Sequence, residues 1–157
     1  MIMDERLEFC DAVDVAAAAG TALVGDVIDL SVARDIGIRP SYLVIQTVTE
    51  IITAGAAGTL TFQLASDAQA AIAVDGSASV HFQTKAFVTD GTDANDAELK
   101  AGGVIACIAL PLEGVPYERY LGILAVTATT TTTDGDIDAF LTFDPSKWTA
   151  FADAANS

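Results

Sequence analysis

The chain has 157 residues, of which 52% are hydrophobic and 18% charged, and its 7 basic and 22 acidic side chains give a formal net charge of −15. That length holds one domain with a real hydrophobic core, and the apolar share excludes intrinsic disorder. A negative surface repels phosphate backbones and anionic headgroups, so neither nucleic acid nor membrane is an expected partner.

The opening "MIMDERLEFC" is acidic where a secretion signal is basic and then greasy, and no apolar run reaches the length of a membrane span. Synthesis in the cytoplasm is therefore expected. Met3 to Val15 mixes polar and apolar residues and suits either one helical turn or an extended segment. "LVGDVIDL", Leu23 to Leu30, is the first predicted strand, with Gly25 as a bulge or bend. After the loop "ARDIGIRP", the β-branched and aromatic run "YLVIQTV" from Tyr42 predicts a second strand. Thr53 to Gly58 is a loop of small residues.

"TLTFQL", Thr59 to Leu64, alternates cleanly and turns Leu60, Phe62 and Leu64 inward. "SDAQAAIAVDG" stays ambiguous between turn, short helix and weak strand. In "SVHFQTKAFV", Ser79 to Val88, the phase puts Val80, Phe82 and Thr84 inward and His81 outward. Thr89 to Gly103 is an acidic loop with room for one helical turn, and "VIACIALP" follows as a strand. Two runs near the end, "ERYLGILAVTA" and "DIDAFLTF", read as strands joined by a five-threonine tract and an Asp-Gly turn. In the last of these, Ala139, Leu141 and Phe143 share the core face.

Seven or eight short strands without helical patterns between them predict an all-β fold, an antiparallel β-sandwich. Spacing alone leaves jelly roll and immunoglobulin-like layouts open. The Cys-Trp-Cys order of a true immunoglobulin domain is absent, because Trp148 follows both cysteines. The division expected is a single domain with an N-terminal arm (1–20), a sandwich core (21–144) and a C-terminal tail (145–157).

Chemistry is sparse. His81 stands without a predicted nucleophile or carboxylate partner and reads as a surface or interface histidine. Cys107, inside "VIACIAL", reads as a buried thiol, and neither it nor Cys10 belongs to a metal-binding pair. Phosphate-cradling glycine motifs and the hydrolase nucleophile elbow are missing from the sequence. An EF-hand started at Asp90 puts Ala94 at the fifth position and Ala101 at the twelfth, where ligands are required. A looser calcium site from Asp90, Asp93 and Asp96 competes with a solvated acidic loop. The expectation is a non-enzyme with no cofactor, no metal and no small-molecule ligand. Its rivals are a carbohydrate- or protein-binding sandwich and a minor head or tail-fibre component.

Five segments, "EFCDAVDV", "DVIDL", "ARDIG", "ERYLGI" and "DAFLTFDP", occur in an order that resembles the capsid cement, or decoration, protein family of tailed bacteriophages, typified by the short-tailed Bordetella phage. The likeness rests on Phe9, Cys10, Asp11 and Ala12; on Ile28, Asp29 and Leu30; on Arg119, Tyr120 and Leu121; and on Ala139 through Thr142. It spans Met1 to Asp144 and involves packing and boundary residues. The resemblance implies a jelly roll, placement on the outer surface of a virion capsid, and bridging of subunits of an HK97-like major capsid protein. It also implies a small homo-oligomer, with a dimer ahead of a trimer. The tail after Asp144 and the acidic loop depart from the family pattern. Expected interface residues are Leu7, Phe9 and Asp11 in the arm, Asp90, Asp93, Asp96 and Glu98 in the acidic loop, and Trp148 and Phe151 in the tail.

Overall fold

A computed structural model describes residues 5–33, 41–55, 58–112 and 114–145, so Trp148 and Phe151 lie outside the described residues. The strands are β1 (Glu8–Asp14), β2 (Gly20–Asp29), β3 (Tyr42–Thr53), β4 (Thr59–Asp67), β5 (Ser79–Gln83), β6 (Phe87–Val88), β7 (Val104–Ala109), β8 (Tyr120–Ala128) and β9 (Thr132–Thr142). Short 3-10 turns, Glu5–Leu7 and Ala97–Leu99, stand before β1 and β7.

One sheet has the order β1-β9-β3-β7 and the other β2-β8-β4-β5, with β6 also paired to β4. All these pairings are antiparallel. β5 and β6 behave as one interrupted strand. In the gap between them the Phe62 N–H donates to Thr84 Oγ1, and the Thr84 N–H donates back to the Phe62 carbonyl, each at 3.0 Å. The interrupted strand then completes two four-position sheets in jelly-roll order, which decides the alternative that spacing left open.

Leu60, Phe62 and Leu64 are fully buried, as their alternation predicts, against Leu43, Ile45, Ile51 and Ile137 from the facing sheet. Gly25 also behaves as expected. Its φ of +67° falls where the β2–β8 register shifts, between Val24 and Ile28. The segment expected as an arm contributes a strand: β1 pairs with β9, and Phe9 and Cys10 join the core.

Other expectations fail for tertiary reasons. Phe143 is 64% exposed, because β9 ends at Thr142 and the chain leaves the ladder there. Phe140 does lie on the opposite face from Leu141, as the alternation predicts, and is buried there beside its cross-strand partner Val44. The Asp-Gly pair is no turn. The chain reverses at Thr129 (φ +74°), and Asp134 and Gly135 sit inside β9. The tract's role is partly to join the sheets, since the Thr127 and Thr132 hydroxyls bond across them at 3.0 Å. In β5, Val80 is exposed while His81 is half-buried. The pairing slips between Leu64 and Ala65 and rotates the expected phase.

Candidate interaction surface

The loops divide between two ends of the sandwich with different chemistry. One end holds the β6–β7 loop, which carries all four residues of the predicted acidic cluster, Asp90, Asp93, Asp96 and Glu98. Asp90 accepts the Thr92 and Asp93 N–H groups at 2.8 and 2.7 Å, folding the loop on itself. Asp96 accepts the Val88 N–H at 2.7 Å and pairs with Lys85 at 3.0 Å. Glu98 reaches the same Lys85 nitrogen, and Asp93 meets Lys100, both at 3.0 Å. These bonds hold the Asp90, Asp93 and Asp96 carboxyl groups below their ordinary pKa, and Glu98 is lowered first by its own backbone N–H and then by Lys85. Exposed ion pairs of this kind add little stability. They do, however, tie most of the loop's carboxylates to partners within the chain. Among the described residues, no group of three His, Cys, Asp or Glu side chains converges to hold a metal ion, so the looser calcium site is not assembled.

The opposite end lies where β2, β4 and β7 finish and β3, β5 and β8 begin. Of eight large apolar side chains exposed among the described residues, six fall on the elements at this end: Val32, Val74, Val80, Leu112, Val115 and Phe143. Sequence reading did not single out Leu112 and Val115. The signal was available in "PLEGVP", where large apolar residues stand in a Pro- and Gly-bounded loop that has no core to bury them.

The β7–β8 loop carrying Leu112 and Val115 is pinned at several points. Leu110 N–H donates to the Ser41 carbonyl and Leu30 N–H to the Arg119 carbonyl, both at 2.8 Å. The Arg119 guanidinium grips both Asp29 oxygens at 2.8 Å and holds that carboxyl down to about 2. Tyr117 donates its hydroxyl to the Pro111 carbonyl at 2.8 Å and stacks on His81 with ring centroids 3.8 Å apart.

His81 is the centre of this clasp. Its Nε2 lies 2.7 Å from Ser66 Oγ, which also accepts the Glu118 N–H at 3.0 Å. The Val115 carbonyl near the ring favours its protonated form. A serine this close to a histidine has the separation of a nucleophile and its base. Ser66, though, is fully buried and already engaged by the loop, so the pair serves as structure.

Burial lowers the His81 pKa, while the nearby Glu118 carboxylate works against that shift. The unfolded chain therefore takes up a proton that the folded chain resists. The stability contributed by neutral His81 is complete above its ordinary value of 6.5 and is lost as pH falls from there toward the folded pKa. Urea midpoints measured from pH 7.5 to 5.5 should fall more for the wild type than for His81→Gln. Parallel curves would reject this linkage.

The remaining predicted positions are scattered. Leu7 is half-buried against the core, Phe9 is buried inside it, and Asp11 is exposed. The expectation of a buried Cys107 fails. Cys107 is exposed, because it points away from the core on β7, and Cys10 is the buried thiol, pushed up to about 12 by desolvation.

A search among curated proteins finds no match. The model of the family described as Bbp16 matches residues 9–141, a span that begins at Phe9 on β1 and ends at Leu141 on β9. Because that match takes in the whole sandwich and most of the sequence, the chain belongs to the Bbp16 family of phage proteins.

Proposed function

We propose that this protein is a capsid cement protein. It binds the outer surface of a phage head and bridges adjacent subunits of an HK97-like major capsid protein, acting as a small homo-oligomer. The observation that carries the proposal is the one-ended placement of exposed apolar residues on a jelly roll of a phage protein family. A rigid body with an adhesive end suits repeated contacts across a symmetric shell. Binding the assembled shell in preference to separated capsomers shifts assembly by mass action. A charge of −15 per copy is unfavourable beside packaged DNA and keeps particles dispersed when it faces solvent.

The pinned β7–β8 loop suits the seat on the shell better than the acidic loop, whose carboxylates are largely engaged. Purified protein added to expanded empty heads should decorate them from outside, in a fixed ratio to the capsid protein. Attachment should persist at high salt and weaken when Leu112 and Val115 are both replaced by Asp. Localisation inside the head, or attachment abolished by salt and indifferent to the two substitutions, would refute this reading.

A further inference from the structure

Each sheet ends in edge strands, and such edges carry unpaired backbone groups unless something blunts them. β1 is guarded by Glu8, Asp11 and Asp14. β2 carries Asp26 and Asp29 together with the Gly25 bulge. β5 is short, slips register against β4 and is followed closely by Lys85. β7 is different. Its six residues, Val104 to Ala109, include no charge and no proline, in a chain with a net charge of −15.

The backbone direction along β7 is fixed by its neighbours. Leu110 N–H points to β3, where it meets the Ser41 carbonyl. By the two-residue period, the Ile108 N–H points the same way, and the N–H and C=O groups of Cys107 and Ala109 point to the free edge. Cys107 and Ala109 are both exposed. Beside this edge runs an open groove of 310 Å³ lined by Phe82, Phe87, Ile105 and Ile108 together with Lys85 and Glu98, whose opposite charges pair with each other.

We propose that β7 is a self-pairing edge, at which two copies of the chain join antiparallel across a two-fold axis near Cys107. The two four-stranded sheets then become one continuous eight-stranded sheet. The occupant is a second copy because of charge. At the β1 and β2 edges two copies would set carboxylates against carboxylates, which is destabilising. At β7 they bring together apolar side chains and complementary backbone groups. A two-fold axis through Cys107 sets that residue opposite its own copy with both thiols on the same face. Residues so paired have Cα atoms about 5.5 Å apart, within reach of a disulfide. The inference deepens the homo-oligomer part of the proposed function. Its readouts do not involve a capsid, so failure of the cement reading would appear separately.

Sedimentation equilibrium of the full chain is the test. The wild type should sediment at twice its 16.2 kDa mass. Copper-phenanthroline with dioxygen, which removes two electrons and two protons from a pair of thiols, should give a covalent dimer. Cys107→Ser should abolish the cross-link and leave the non-covalent dimer. Cys107→Asp and Ala109→Asp, each at an exposed position, should give monomers with an unchanged β-sheet circular-dichroism spectrum. A monomeric wild type would overturn the proposal and turn the search toward a strand from another protein. A dimer that survives both aspartates, or one that forms no Cys107 cross-link, would overturn it equally.

Discussion

Replacing Phe62 with alanine should lower folding stability by about 3–5 kcal/mol, as expected when a fully buried aromatic ring is lost and its space only partly refills. Phe62 lies on β4, one of the two strands of its sheet that pair on both sides, and its ring is completely buried in the core. Total stability of a domain of this size is typically about 5–15 kcal/mol, so this single change would remove a large part of it. Phe143→Ala is the matched comparison. The same ring is lost from a position 64% exposed, and the change should stay within about 0.5 kcal/mol. Urea denaturation followed by circular dichroism reads both. A Phe62→Ala loss below about 1 kcal/mol would mean that the core is not packed as described.

Gly135→Ala should be the next most damaging substitution, by about 2–5 kcal/mol, and its cause can be divided experimentally. Gly135 has φ +132°, a conformation essentially reserved for glycine, and a methyl group there would stand 2.7 Å from the Ile51 Cα. The backbone strain and the collision both count against alanine. Gly20 has φ +144° but nothing within 4 Å of where its Cβ would lie. Gly20→Ala therefore carries the backbone term alone, about 1–3 kcal/mol. Equal losses at the two positions would show that contact with Ile51 contributes nothing. A larger loss at Gly135 measures how tightly β9 lies on β3.

The apolar end and the β7 edge are different surfaces, and the two proposals assign them different tasks. The loops after β2, β4, β7 and β9 expose apolar side chains, whereas β7 exposes backbone groups at its free edge. The first suits a seat on a shell and the second suits pairing with an identical copy. If both proposals hold, the two surfaces act together, since bridging requires two seats held at a fixed separation.

By itself the sequence determined that the chain would build strands, and roughly where. The alternation in "TLTFQL" encodes which side chains of β4 enter the core, and Gly25 marks the bend in β2, because both signals are local to a few residues. The absence of a legible catalytic motif and the order of the packing segments were likewise written in the chain, and they led to the family. The tertiary structure alone decided the surfaces. Whether Phe143 is core or solvent depends on where β9 leaves its ladder. The exposure of Cys107 depends on β7 lying at an edge and turning that side chain from the core. His81 is drawn inward by Ser66, Tyr117 and Val115, which are 15 or more residues away along the chain. Asp134-Gly135 looks like a turn in isolation and becomes strand because Ile51 lies across from it. A two-residue period records alternation within one strand, but which strand ends first and what covers each face follow from contacts between distant segments.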